Sequence, residues 1–395
     1  MTLWHLALLS LVSSAVLAQN STNSNSTQRH GSDRIGFKWG STDRSTLVLI
    51  WNCLATIFTC TWTVIHLDIP SDRYTTKRTF LSKLKWMMFT IIAPEITFGM
   101  AFAQFMACRS LRREIRKNGY QNWSMAQSFY AVMGGYRVQH GTWSKLLTLE
   151  GVAYLLKRVP DADLLSKSDV EKLAKADGFA KLVACIQAGW LIAQSIARAT
   201  QNMPISELEI ATLALVANAF ATYLLWWEKP YDVNQRKVLT LDDTSAFNAG
   251  FLGGHSPYFH HDDKFGLPAV EIKGLYFLYG GMTFFGMICG GVHCSAWNFE
   301  FASPKEQLLW RVCSLLVTTS VVPEGIVFTL INKSEIIFDE GSWWKYLQLT
   351  IGVLFMYAYL AGRLVLIFLA CYSLRSEPVG VYESVAWINY VPHLG

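Results

Sequence analysis

Residues 86–107 read WMMFTIIAPEITFGMAFAQFMA, a stretch long enough to cross a hydrocarbon core of about 30 Å, with a single charged group, Glu95, at its centre beside Pro94. Six further stretches share this character: residues 46–67, 179–200, 208–227, 275–294, 309–331 and 347–372. The composition agrees, because 52% of the chain is hydrophobic and only 16% is charged, against about 25% charged in soluble globular proteins. The expected fold is therefore all-α: a polytopic membrane helix bundle of about seven transmembrane helices after an N-terminal signal segment. A net charge of +5 is too mild for a nucleic-acid-binding surface, so no nucleic-acid partner is expected. Trp and Tyr gather at several span ends, at Trp86, Trp226-Trp227, Trp297, Trp310 and Trp343-Trp344, as amphipathic rings do at headgroup level.

The regions outside the spans divide the chain. Residues 1–18 read as a signal peptide, with an apolar run centred on Leu6 to Val12 and the small-residue ending Val16-Leu17-Ala18. Residues 19–45 form a polar tail whose sequons at Asn20 and Asn25 suit the lumen of a eukaryotic endomembrane, the endoplasmic reticulum first. Residues 46–107 are the first helical pair. Residues 108–178 are a long loop with an amphipathic helix announced by Ser168-Asp169-Val170-Glu171, and residues 179–372 carry five further spans before a C-terminal tail at 373–395. Orientation conflicts with itself. A lumenal tail puts Arg73, Lys77, Arg78, Lys83 and Lys85 in the cytosol, as the positive-inside bias requires, but puts Arg109, Arg112, Arg113, Arg116 and Lys117 in the lumen together with the sequon at Asn122, which would then be glycosylated.

Inside the spans the costly groups are few. The second contains Thr90-x-x-x-Pro94-Glu95 and the sixth Thr319-x-x-x-Pro323-Glu324. In each, Pro removes a backbone donor and frees the carbonyl of a Thr four residues earlier, so both helices are expected to kink beside their carboxyl. Glu95 follows His66 by 29 positions and Glu324 follows His293 by 31, which suggests two His/Pro-Glu pairs closing around one cavity as an internal repeat. A carboxylate at the bilayer centre costs roughly 3 kcal/mol or more, so Glu95 is either a functional acid or a structural group bridging to Arg363 or Gln187 on neighbouring helices. Phe98 and Phe102 share the helical face of Glu95 and have the quadrupole to shield a carbocation.

Several chemistries lack their residues. Di-iron hydroxylases and desaturases need about eight histidines in several boxes, and this chain has nine in all, two of them in the leader and tail. The run His255-x4-His260-His261 with Asp262-Asp263 reads as a solvated turn, so no metal is expected. The aspartate doublets Asp242-Asp243 and Asp262-Asp263 lack the later partners that would hold magnesium on a diphosphate. There is no Gly-rich phosphate loop and no GxSxG elbow, and the reading requires no cofactor.

The string Cys60-Thr61-Trp62-Thr63-Val64-Ile65-His66-Leu67-Asp68-Ile69-Pro70, followed by Lys85-Trp86-Met87 and Ala93-Pro94-Glu95, resembles a family of fungal multi-pass membrane proteins with HLxxP and APE motifs. Phe129 to Tyr136, Trp226-Trp227-Glu228-Lys229-Pro230-Tyr231-Asp232, Trp297-Asn298-Phe299 and the closing Trp387 to His393 extend the likeness. Some members resemble the membrane-bound terpene cyclase of ascofuranone-type meroterpenoid biosynthesis. The resemblance implies an enzyme that opens the epoxide of a lipid-soluble prenylated small molecule supplied by an upstream monooxygenase. Glu95 would donate the proton, with Asp68 or Glu324 assisting and His66 taking up the final proton, while Trp62, Phe98, Phe102 and His293 contact substrate. Position 68, where the resemblance leads one to expect Asn, is Asp. A secondary transporter and a non-catalytic seven-span protein remain alternatives.

Overall fold

A computed structural model of the chain describes residues 34–40, 44–70, 75–140, 143–174, 178–240, 252–253, 272–337 and 343–387. The signal segment, the sequons at Asn20 and Asn25, both aspartate doublets and the His255–His261 run lie outside these residues. Helix α1 (Thr46–Val64) starts at Ser45, whose Oγ accepts from the Val48 amide at 3.3 Å. Its buried threonines pay no penalty for their hydroxyls, because Thr56, Thr59, Thr61 and Thr63 each donate to the carbonyl four residues earlier at 2.6–2.8 Å. Helices α2 (Thr76–Ile92) and α3 (Pro94–Lys117) follow.

The stretch that opens the sequence is not one kinked helix. α2 and α3 meet at Ala93 with a bend of 113°, so the chain turns back on itself. Pro94 takes the first position of α3, where its missing N–H is no loss, and Glu95 sits in the first turn, where the helix dipole favours negative charge. Across the break, Thr90 Oγ1 donates to Trp86 O and shares a 2.8 Å hydrogen bond with Thr97 Oγ1.

α3 then runs past the expected span end into a small folded cap. Arg112 and Arg116 donate from Nε to Trp123 O and tie the helix end to α4 (Met125–Val132), itself started by a Ser124/Gln127 capping box. The hairpin β2 (Tyr136–His140) and β3 (Trp143–Leu147), α5 (Leu149–Arg158) and α6 (Lys167–Leu173) come next. β4 (Lys237–Thr240) pairs parallel to β2, and β5 (Leu252–Gly253) completes a sheet of order β4-β2-β3-β5. Ile69, Leu111, Ile115, Trp123, Tyr130 and Leu239 share the cap core. Residues 108–178, expected as a long loop, are thus largely ordered structure. The expected polar helix is α6, but its cap is Ser166, two positions earlier, with Oγ accepting from the Asp169 amide.

α7 (Gly178–Thr200) leads to α8 (Glu207–Leu225), opened by a Ser206/Glu209 capping box. α9 (Ile272–Cys294), α10 (Pro304–Ile337) and α11 (Trp343–Tyr372) pack as a sequential trio. Among the described residues, six helices are long and apolar enough to cross a membrane, α1 and α7 to α11, and the bent α2/α3 pair is a seventh element. Unlike Pro94, Pro323 lies inside an unbroken α10, and Thr283 of α9 donates to Val321 O beside it at 3.1 Å. Short strands β1 (Arg34–Ile35) and β6 (Glu377–Pro378) join the two tails at the end opposite the cap.

The bent pair also resolves the orientation conflict. Ile69, just ahead of α2, and Trp123, just after α3, are in one core, so the pair enters and leaves the bundle on one face. Both basic runs and Asn122 therefore share a side, and the expectation that Arg109 to Lys117 and Asn122 face away from Lys77 to Lys85 does not hold.

Candidate functional site

Glu95 is buried to 2% exposure and accepts a hydrogen bond from the Tyr359 hydroxyl at 2.6 Å. One turn further along α11, Arg363 is equally buried and acts electrostatically on Glu95. Its Nη1 lies 2.5 Å from His293 Nε2. Guanidinium only donates, so His293 Nε2 must be the acceptor and Nδ1 must carry the ring proton. The His293 carbonyl in turn accepts from Trp310 Nε1 at 3.0 Å. Glu324 interacts electrostatically with Glu95 from α10. Arg363 Nε, His293 Nδ1 and Glu324 Oε1 are buried without a hydrogen-bond partner, so the site holds unspent polar capacity of both signs.

An aromatic run leads from this acid group along α3 and α9. Phe98 stacks on Phe285 at 4.7 Å, with Phe102 and Phe284 each 6.4 Å away, and Phe102 meets Phe277 edge-on at 6.0 Å. Close approach of the two helices allows it. A methyl group at Gly99 would stand 2.6 Å from Leu278 O, and one at Gly281 would stand 3.1 Å from Gly99 Cα. The same logic joins α9 to α10, where a Cβ at Gly290 would lie 2.6 Å from Thr318 Cα.

His66 and Asp68 are elsewhere. Lys229 Nζ donates to Asp68 Oδ1 at 3.1 Å, to Gln104 Oε1 at 2.9 Å and to His66 O at 2.5 Å. Gln104 Nε2 donates to Asp68 Oδ1 at 3.1 Å, and Trp226 Nε1 donates to Gln104 Oε1 at 3.0 Å while its ring lies under the ammonium. All three ammonium protons are taken. Gln104 follows Glu95 by nine positions, which puts this knot about 13 Å further along α3, at the cap. The His66 ring meets Tyr231 edge-on at 5.0 Å, and Trp62 lies under Lys83, which also donates to the Tyr231 hydroxyl.

Of the residues expected to act together, Glu95, Glu324, His293, Phe98 and Phe102 converge; His66, Asp68 and Trp62 do not join them. The two His/Pro-Glu pairs are not a structural repeat, because α3 begins at its Pro and α10 continues through its own. Glu95 of the first pair instead reaches His293 of the second through Arg363. Gln187, the other suggested bridge, is buried on α7. Tyr359, Lys229 and Gln104 were not singled out from sequence as members of a site. Lys229 was nevertheless within the quoted string Trp226 to Asp232. Among the described residues, no group of three His, Cys, Asp or Glu side chains is placed to hold a metal ion.

A family model matches residues 12–252. The chain belongs to the family of unknown function DUF8562. No curated protein and no solved structure matches the chain. The family match spans the whole Asp68–Gln104–Lys229 knot and the Pro94-Glu95 turn, and it ends ahead of α9, α10 and α11, which supply Glu324, His293, Tyr359 and Arg363.

Proposed function

We propose that this protein is a membrane-bound, proton-initiated terpene cyclase acting on the epoxide of a lipid-soluble prenylated compound. The observation that carries the reading is the Glu95–Tyr359 pair held deep among apolar helices at the start of a Phe-lined face. Glu95 gives its proton to the epoxide oxygen and the C–O bond breaks. A neighbouring alkene supplies its electron pair to the electron-poor carbon and closes the ring. Phe98, Phe102 and Phe285 present their negative faces to the travelling cation, each worth about 0.5–2 kcal/mol. Loss of a proton ends the sequence. Glu324 takes that proton, since its Oε1 is unpartnered and His293 already carries one on Nδ1, and return of the proton from Glu324 to Glu95 restores the acid for the next turnover. The product is an isomer of the substrate, so no cofactor is consumed. His66 and Asp68 have a positioning role at the cap in this scheme.

In the same reading the chain works in an endomembrane, the endoplasmic reticulum first, of a fungus making meroterpenoids. Its leader is removed, its tail is glycosylated at Asn20 and Asn25, and an upstream monooxygenase forms the epoxide. The test is expression in a heterologous fungus fed an epoxidised prenyl phenol. Cyclised product from the natural chain and none from Glu95→Gln at equal protein level is expected; equal product from both removes Glu95 from the chemistry.

The bent α2/α3 pair favours a second reading, a carrier, because broken helices ending inside a bundle are a recurrent way to build a midplane binding site. Redistribution of the fed compound across vesicles without turnover would favour that reading over catalysis.

A further inference from the structure

The return of α3 to the face it left puts a row of cations at a defined depth. Arg109, Arg113 and Lys117 are exposed and follow one another at intervals of four, a single stripe along α3. Arg112 and Arg116, which flank this stripe, are used in holding Trp123 O. Arg109 follows Glu95 by fourteen positions, about 21 Å along the helix, so a carboxyl near the middle of a hydrocarbon core about 30 Å thick places its guanidinium at the headgroup layer, and Arg113 and Lys117 follow one and two turns further out on the water side.

α2 marks the same level independently. Lys77 and Arg78 are exposed at its start, and exposed Phe80 and Leu81 follow within one turn, which is the change from headgroup to acyl chain read along one helix. Neither helix offers these cations much local compensation. α2 has no acidic residue, and α3 has Glu114 as its one acidic group besides Glu95. Five exposed cations from two helices thus border an apolar belt on the side that also carries the cap.

We propose that Arg109, Arg113 and Lys117, with Lys77 and Arg78, form a docking stripe for the phosphate headgroups of anionic phospholipids in the cytosolic leaflet. The stripe anchors the two ends of the α2/α3 pair and so fixes how deeply Glu95 is inserted. Charge and depth complementarity select the occupant: the cations stand where lipid phosphates stand, next to side chains that belong among acyl chains.

The full chain is reconstituted in nanodiscs carrying a photoactivatable phosphatidylserine, or the matching phosphatidylcholine as the comparison. Labelling of α3 near Arg109–Lys117 by the serine lipid is expected to exceed that by the choline lipid roughly tenfold and to fall with added salt. The triple variant Arg109→Gln/Arg113→Gln/Lys117→Gln is expected to lose that preference, and Arg109→Lys/Arg113→Lys to keep it. If the triple Gln variant elutes as an aggregate, the Lys variant and the salt series decide alone. Equal labelling by both lipids, a preference indifferent to salt, or a preference unchanged in a well-folded triple variant overturns the proposal. A glycan at Asn122, removable by endoglycosidase, overturns it as well, since it would put the stripe in the lumenal leaflet. Capture of an acidic soluble protein in place of lipid label would do the same.

Discussion

Tyr359 donates its hydroxyl proton to Glu95 Oε2 at 2.6 Å, joining α11 to the first turn of α3 over 264 positions of sequence. The bond defines which carboxyl oxygen is held and which is left to face a reactant. It also makes α11 part of any chemistry at Glu95, although the Pro94-Glu95 motif is far away in the chain.

Tyr359→Phe keeps the ring and removes the donor. In the proposed scheme Glu95 becomes a carboxylate only as it gives up its proton, and a hydrogen bond to that developing charge is worth about 1.5–3 kcal/mol, so turnover of a fed prenyl epoxide should fall by roughly tenfold to a hundredfold while the thermal midpoint in detergent moves less. Full activity in Tyr359→Phe would show that the pair is packing alone.

Arg363 is the cation that three helices share. Arg363→Met removes the donor to His293 Nε2 and the charge near Glu95, and truncating one member of a buried charged cluster typically costs about 3–5 kcal/mol. The variant should lose much of its folded yield, as read by monodisperse elution. His293→Asn should be milder, because Arg363 keeps its contact with the Glu95 region.

The Lys229 knot admits a double-mutant cycle. Lys229→Met leaves the Asp68 carboxylate buried without its ammonium counter-charge, which should cost about 3–5 kcal/mol of stability. Adding Asp68→Asn to that variant removes the uncompensated charge and should recover part of the loss. Strictly additive effects in a thermal-shift cycle would mean that the two groups are not coupled.

Gly99 and Gly290 test helix contact. Gly99→Val brings side-chain atoms against Leu278 O and Met282, and Gly290→Val against the Thr318 backbone, where nothing flexible can yield. Overpacking of this kind costs about 1–3 kcal/mol or more. Gly189→Ala, at a position with open space, is the control and should be neutral within error.

Glu377, beyond the end of α11, supplies a pH prediction. Burial first, and the Glu207 carboxyl beside it second, push Glu377 well above the ordinary carboxyl range. An acid whose value is raised by folding contributes stability that is complete below its ordinary range near 4.5 and is lost progressively as pH rises above that range toward the raised folded value. Protection from amide exchange at the Arg34–Ile35/Glu377–Pro378 pairing, corrected for the intrinsic rise of exchange with pH, should therefore fall as pH is raised from about 5 into the alkaline range, and Glu377→Gln should flatten that profile.

The apolar helices were readable because hydropathy over some twenty residues reports directly on solvent. The same measure joined α2 to α3, since Ala93-Pro94-Glu95 and Val322-Pro323-Glu324 look alike to it; yet Pro94 opens a new helix and Pro323 lies within one. The cap was hidden for a different reason. Its core is assembled from Ile69, Leu111, Trp123, Val152 and Leu239, spread along the chain on short elements with weak periodicity. Glu95, Glu324 and His293 stood out as costly groups in lipid, and so did Arg363 as the single charge of its span. Tyr359 did not, because a tyrosine in a membrane helix is cheap until its hydroxyl is seen to have a destination.

The 264-residue separation of Glu95 from Tyr359 has a consequence for biogenesis. At about 5–20 residues per second, synthesis delivers Tyr359 and Arg363 roughly 15–50 s after Pro94-Glu95 has left the ribosome. During that interval the tip of the bent pair has neither its hydroxyl donor nor its guanidinium, and it has no α9 against which to set Gly99. The tip must therefore wait at the membrane surface or beside an insertion factor and slot into the bundle last, after α11. Ribosome-arrested chains ending before residue 359 should then leave residues 93–97 open to a water-soluble thiol reagent at an introduced cysteine, and completed chains should close that site.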